Sequence, residues 1–162
     1  MADPLAHVLR HNAWANKTLL EHCASLDPSA LDLRAPGTYG TLHATLQHLV
    51  GGEQFYITLL TGEVLGPRIA GTRAPLEQLL AIAALTGGRV IEIAALDDAD
   101  RVIGPKDDEH TTVGTVIAQL VNHGNEHRGH ANTILGANGL PTRKIGAWSY
   151  GIATGISNND GD

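Results

Sequence analysis

Three histidines of this chain, His123, His127 and His130, recur at four and three residues inside an apolar seam that runs Val113, Val116, Leu120, then the histidines, then Ile134. That is a heptad pattern with imidazoles at its centre. In a helix, 100° and about 1.5 Å per residue put His123 and His127 about 40° apart in azimuth and about 6 Å apart along the axis. Both rings can then reach one ion at the roughly 2.0 to 2.1 Å of a metal–nitrogen bond. Several imidazoles buried without partners would cost several kcal/mol, and a shared metal ion removes that cost. The plain alternative is a set of hydrogen-bonded core histidines, or a helix turned so that Gly124, Ala131 and Leu135 face inward. A third ligand must come from another helix. His48, flanked by Leu46 and Leu49, is the best candidate. His43, one turn earlier, is expected at the surface, and His7, His11 and His22 are expected as half-exposed or packing residues.

Other chemistries fit these residues less well. His123-Gly-Asn-Glu126-His127 matches an inverted zinc-protease motif with Glu126 as base, but no Glu follows Glu126 to act as third ligand. A di-iron bundle needs Glu-x-x-His on two helices, and no Glu here has His three residues later. No nucleophile stands in a strand-to-helix turn. Glu53 is the odd member of an apolar stripe and is a candidate proton carrier. The lone cysteine, Cys23, lies in a helical apolar pattern and reads as buried packing.

The elements that must position these groups are four helices. The first is predicted from about Pro4 to Leu26, ended by Asp27-Pro28. The second follows Thr41, a plausible N-cap, and carries Leu42, Leu46, Leu49, Glu53, Tyr56 and Leu60 to Thr61-Gly62. A loop to Arg73 leads to the third, with Leu76, Leu79, Leu80, Ala83, Val90 and Ile93. Gly87-Gly88 inside it costs about 1 kcal/mol per glycine against alanine, which predicts a kink or a close helix approach. Asp97 to His110 is a charged connection with one strand-like piece, Arg101 to Ile103. The fourth helix is predicted from Thr111 or Thr112 to Asn138, where Asn138-Gly139 and Pro141 stop it. The sequence reads as one domain over residues 1–156 and a flexible tail over 157–162, with fraying expected in the last eight residues. Four amphipathic helices fit an all-α four-helix bundle, in which metal sites are built from inward-facing residues of neighbouring helices.

Composition narrows the partners. At 162 residues the chain can bury roughly 70% of its unfolded surface around one core. It has 17 acidic against 11 basic residues, a net charge of -6 and no basic block, so nucleic acid is not expected. No uninterrupted apolar run reaches the ~18 residues of a membrane span. The amino terminus carries no export signal, so the cytoplasm is expected. A single cysteine excludes an internal disulfide and a cysteine-rich zinc site.

Asn12-Ala13-Trp14-Ala15-Asn16, Thr41-Leu42-His43-Ala44-Thr45-Leu46-Gln47-His48-Leu49-Val50-Gly51-Gly52-Glu53 and Val121-Asn122-His123-Gly124-Asn125-Glu126-His127-Arg128-Gly129 together resemble the DinB/YfiT-like metalloproteins in order and spacing. The resemblance implies an up-up-down-down bundle, usually a homodimer, with one divalent transition metal, commonly nickel or zinc, on His48, His123 and His127. It makes Glu53 a pocket residue or a partner to a ligand. His130 departs from the pattern, which usually has Gln after Arg-Gly. It is a candidate fourth ligand, a hydrogen-bond donor to a bound group, or neutral drift. Relatives with known activity include transferases using the thiols bacillithiol or mycothiol, a mycothiol-dependent maleylpyruvate isomerase and some metal-dependent hydrolases. The leading expectation is therefore a metal-dependent transferase that activates a low-molecular-weight thiol against a small electrophilic substrate. The rivals are a metal-dependent hydrolase using bound water and a non-enzymatic, stress-associated metal-binding protein.

Overall fold

The computed structural model describes residues 3–69, 71–104 and 110–158. Among these, the chain forms α1 (Pro4–Ala24), a 3-10 turn (Pro28–Asp32), α2 (Leu42–Thr61), α3 (Leu76–Leu96), β1 (Val102–Ile103), β2 (Thr111–Thr112), α4 (Val113–Ala137) and α5 (Ala147–Ala153). The helix ends follow local chemistry. Asp3 accepts the Leu5 amide at 3.0 Å with Pro4 in the first turn, Thr41 accepts the Ala44 amide at 3.0 Å, and Thr112 accepts the Thr115 amide at 3.2 Å. Each satisfies an amide that the first helical turn leaves unpaired. Gly62 closes α2 at φ +78°, a left-handed conformation in which any Cβ is strained. α1 stops at Ala24, two residues short of expectation, where the Ser25 hydroxyl donates to the His22 carbonyl.

The four long helices enclose two apolar clusters. One gathers the later half of α1 (Leu19, Leu20), the start of α2 (Leu42, Leu46), the start of α3 (Leu79, Ile82) and the end of α4 (Ile134, Leu135). The other gathers Leu9 of α1, Ile57 and Leu60 of α2, Val90 and Ile93 of α3, and Val113 to Leu120 of α4. α1 and α4 therefore run from the second cluster to the first, while α2 and α3 run the opposite way. The order is up-down-down-up, which corrects the up-up-down-down arrangement expected from the resemblance. The length of the connections was compatible with both, and side-chain packing decides.

Because α2 and α3 run in the same direction, residues 62–75 must return along the bundle. Gln54 donates to the carbonyls of Leu65 (2.7 Å) and Pro67 (3.0 Å) and accepts the Ile69 amide at 3.1 Å. Gln47 donates to Thr72 and accepts from Ala74. His43 donates from Nε2 to the Ala74 carbonyl at 2.8 Å and is 5% exposed. It is a latch on the crossover, which corrects its expected surface position. His11 and His22 are packing residues, each bound to a backbone carbonyl beyond α4, Ile145 and Pro141 respectively.

At Gly87 a Cβ would lie 2.7 Å from the Ala13 Cβ, so this glycine lets α1 and α3 approach closely. α3 is long and apolar enough to cross a membrane by length and composition alone, a possibility that counting unbroken apolar runs had passed over. In the fold its Leu79, Ile82, Val90 and Ile93 fill the two clusters.

The connection before α4 contains a minimal antiparallel pair, Val102 opposite Thr112 and Ile103 opposite Thr111; its residues 105–109 lie outside the described residues. α5 was not legible in a Gly-rich segment. Its buried Tyr150 packs on Trp14 at 5.5 Å and on His7 at 5.3 Å. The amides of Ile156 and Ser157 donate to the Gly151 carbonyl. Residues 159–162 of the expected tail lie outside the described residues.

Candidate metal centre

Between the two apolar clusters lies a polar layer, and the antiparallel pairing of α2 with α4 builds its outer part. His48 comes from α2, and His123 and His127 lie one turn apart on α4. One ligating atom from each of the three lies within 4.8 Å of the others. Ring centroids are 5.0 Å apart for His48 and His123, 4.6 Å for His48 and His127, and 4.4 Å for His123 and His127. His123 and His127 are buried and His48 is half-buried.

Aromatic rings hold the imidazoles in place. Tyr39, from the loop before α2, stacks on His48 at 4.1 Å and 13° and meets His127 edge-on at 5.2 Å. Tyr56 meets His123 edge-on at 5.6 Å. Gly52 makes room for His123: a Cβ there would stand 2.3 Å from Cε1 and 2.7 Å from Nε2 of that ring. The sequence carried a signal for this position, since two adjacent glycines inside α2 cost helix propensity and call for a reason. Tyr39 had no such signal.

The electrostatics favour neutral imidazoles. Burial lowers the pKa of His123 to about 4, helped by His127 and His48. Burial likewise lowers His48, against the pull of Glu126. It lowers His127, with His48 and His130 adding and Glu126 opposing. Neutral imidazole is the ligating form. His127 Nδ1 is buried and has no hydrogen-bond partner among the described residues, a costly state for a polar atom that a metal bond or a bound group would relieve. The donor set thus fits a divalent transition metal ion.

His130 stands next to His127 with ring centroids 5.3 Å apart, but it does not join the three-nitrogen group. Glu53 sits behind the histidines in the inner part of the layer. Asn16 donates to its Oε2 at 2.6 Å, and Arg128 donates from Nη1 to Asn12 and Asn16 at 2.7 Å each. Burial pushes Glu53 up to about 7, with Thr86, Arg128, Asn16 and Asn12 pulling it back. Burial brings Arg128 down to about 10, opposed by Glu53. Asn12, Asn16 and Arg128 stand in the quoted motifs, yet the sequence assigned them no role, because their partners are more than a hundred positions apart. Cys23 is buried, its thiol pushed up to about 12 by desolvation, as expected of a packing residue.

His48 and His123, but not His127, open onto a cavity of about 500 Å³ lined also by Tyr39, Gln47, Gly52, Phe55, Tyr56 and Ile69, among others. Glu53 and His130 are not among its lining residues. No curated protein matches the chain at a significant level. The model of the DinB family matches residues 1–150, and with this helical bundle and histidine cluster in view, the chain belongs to the DinB family.

Proposed function

We propose that the protein binds one divalent transition metal ion, nickel or zinc being the expected choices, on His48, His123 and His127, and that it is a transferase joining a low-molecular-weight thiol to an electrophilic carbon. The observation that carries this reading is the convergence of three neutral imidazoles, two of which, His48 and His123, line a cavity large enough for small molecules. No fourth His, Cys, Asp or Glu joins them among the described residues, which is the pattern of sites that keep an open position. A divalent ion held there would supply Lewis acidity that makes a thiol ionise near neutral pH.

The chain's own residues do the rest. Tyr39 and Tyr56 fix the ring planes of His48 and His123. Phe55 and Ile69 give the cavity an apolar wall for the electrophile. In the reaction the thiol proton leaves to solvent, the sulfur–carbon bond forms, and the leaving group departs with its electron pair.

The test starts with elemental analysis of untagged protein beside His48→Ala, His127→Ala and Gly52→Ala. One equivalent of metal is expected in the wild type and none in the histidine variants. Gly52→Ala should bind about 10- to 100-fold more weakly, because its Cβ displaces the His123 ring. Metal-loaded protein is then given bacillithiol or mycothiol with 1-chloro-2,4-dinitrobenzene, and loss of free thiol is followed. Ester hydrolysis without any thiol would move the assignment to a hydrolase. A wild type that takes up no ion would remove the whole reading.

A further inference from the structure

A second cavity, of about 510 Å³, lies on another face of the bundle, between α1, α4 and the end of α3. Its apolar wall includes Leu5, Val8, Val113, Ile117, Ala118 and Val121. Along α4 it extends from Val113 to Arg128, fifteen positions or about 22 Å. It is therefore a long, apolar slot with a cation at one end. Arg128 is 3% exposed yet lines this slot. Its Nη1 is held by Asn12 and Asn16, and no hydrogen bond engages Nε or Nη2 among the described residues. No carboxylate reaches ion-pairing distance of the guanidinium among the described residues; Glu53 acts on its charge from beyond Asn12 and Asn16. Asp97, which also lines the slot, is already paired with Arg101.

A guanidinium fixed by two amides at Nη1, with its other nitrogens unengaged among the described residues and the residue lining an apolar slot, is suited to a carboxylate, which it can meet with two parallel hydrogen bonds. The length and apolar wall suit a chain attached to that carboxylate, and the volume lies within the range of small-molecule sites. We propose that this slot binds an aliphatic monocarboxylate, its anion on Arg128 and its chain along α4 toward Val113. The site shares no lining residue with the histidine cavity, and the proposal stands whether or not the metal centre is catalytic.

The probe is decanoate, titrated calorimetrically into the protein as purified, with decanol as the neutral control of equal length. One saturable site per chain is expected, with decanol at least tenfold weaker. Arg128→Gln should reduce affinity at least tenfold. Since that variant alters the buried layer, Ala118→Trp is the second: residue 118 is exposed on the slot's wall, and an indole there should fill the slot and give a similar loss without disturbing the core. His48→Ala should bind decanoate as the wild type does. The proposal is overturned by equal binding of decanol and decanoate, by absence of saturable binding, or by indifference to Ala118→Trp. Loss of binding in His48→Ala would move the anion to the histidines and equally overturn it. So would sedimentation showing a dimer that Ala118→Trp splits and decanoate does not, since the slot would then be covered by a second copy of the chain.

Discussion

Two titratable groups in the polar layer oppose each other as pH changes. His123, lowered to about 4, binds fewer protons folded than unfolded, where histidine titrates near 6.5. Its contribution to stability is full above about 6.5 and is lost as pH falls toward 4. Glu53, raised to about 7 from 4.5, binds more protons folded than unfolded. Its contribution is full below 4.5 and is lost as pH rises through 7. In protein stripped of metal, Glu53→Gln removes only the second trend. The free energy of unfolding of the variant should therefore climb more steeply between pH 4.5 and 7 than that of the wild type, by up to about 1.4 kcal/mol per pH unit. Denaturant titrations at several pH values would measure both slopes, and parallel curves would show that Glu53 does not titrate there.

At the scale of the helix, two adjacent glycines of α3 make opposite predictions. Gly87 faces α1, and a Cβ would meet that of Ala13 at 2.7 Å. Gly87→Ala should destabilise by about 1–3 kcal/mol through overpacking, less the roughly 1 kcal/mol that alanine gains in helix propensity. Gly88 is exposed with nothing near its virtual Cβ, so Gly88→Ala should stabilise by about 1 kcal/mol. Thermal unfolding should separate the two, each kcal/mol moving Tm by about 2–4 °C. The glycine pair was legible as a feature needing a close approach; which of the two makes it was not, because that depends on the face α3 turns to α1.

For the molecule as a whole, the parallel course of α2 and α3 makes the crossover a structural strap, and Gln54 is its main tie. Gln54→Ala removes three hydrogen bonds to residues 65–69 and leaves partly buried backbone groups without these partners. It should cost about 1–3 kcal/mol. Amide exchange at Ile69 should accelerate well beyond any change in α1 or α4, and unaltered protection would mean that other contacts hold the strap. The sequence by itself determined the four long helices, the cap at Thr41, a start of α4 at Thr111 or Thr112, and a seam on α4 that sets His123 and His127 on one face. These follow from backbone periodicity and local hydrogen bonding, which do not depend on distant residues. Only the tertiary structure decided the up-down-down-up order, the role of His43 as a latch, the stacking of Tyr39 on His48, the docking of α5 and the Asn12–Asn16–Arg128–Glu53 layer. Those features depend on which of several similar amphipathic faces meet. Apolar patterning leaves such choices nearly equal in energy, and the packing of buried polar partners resolves them.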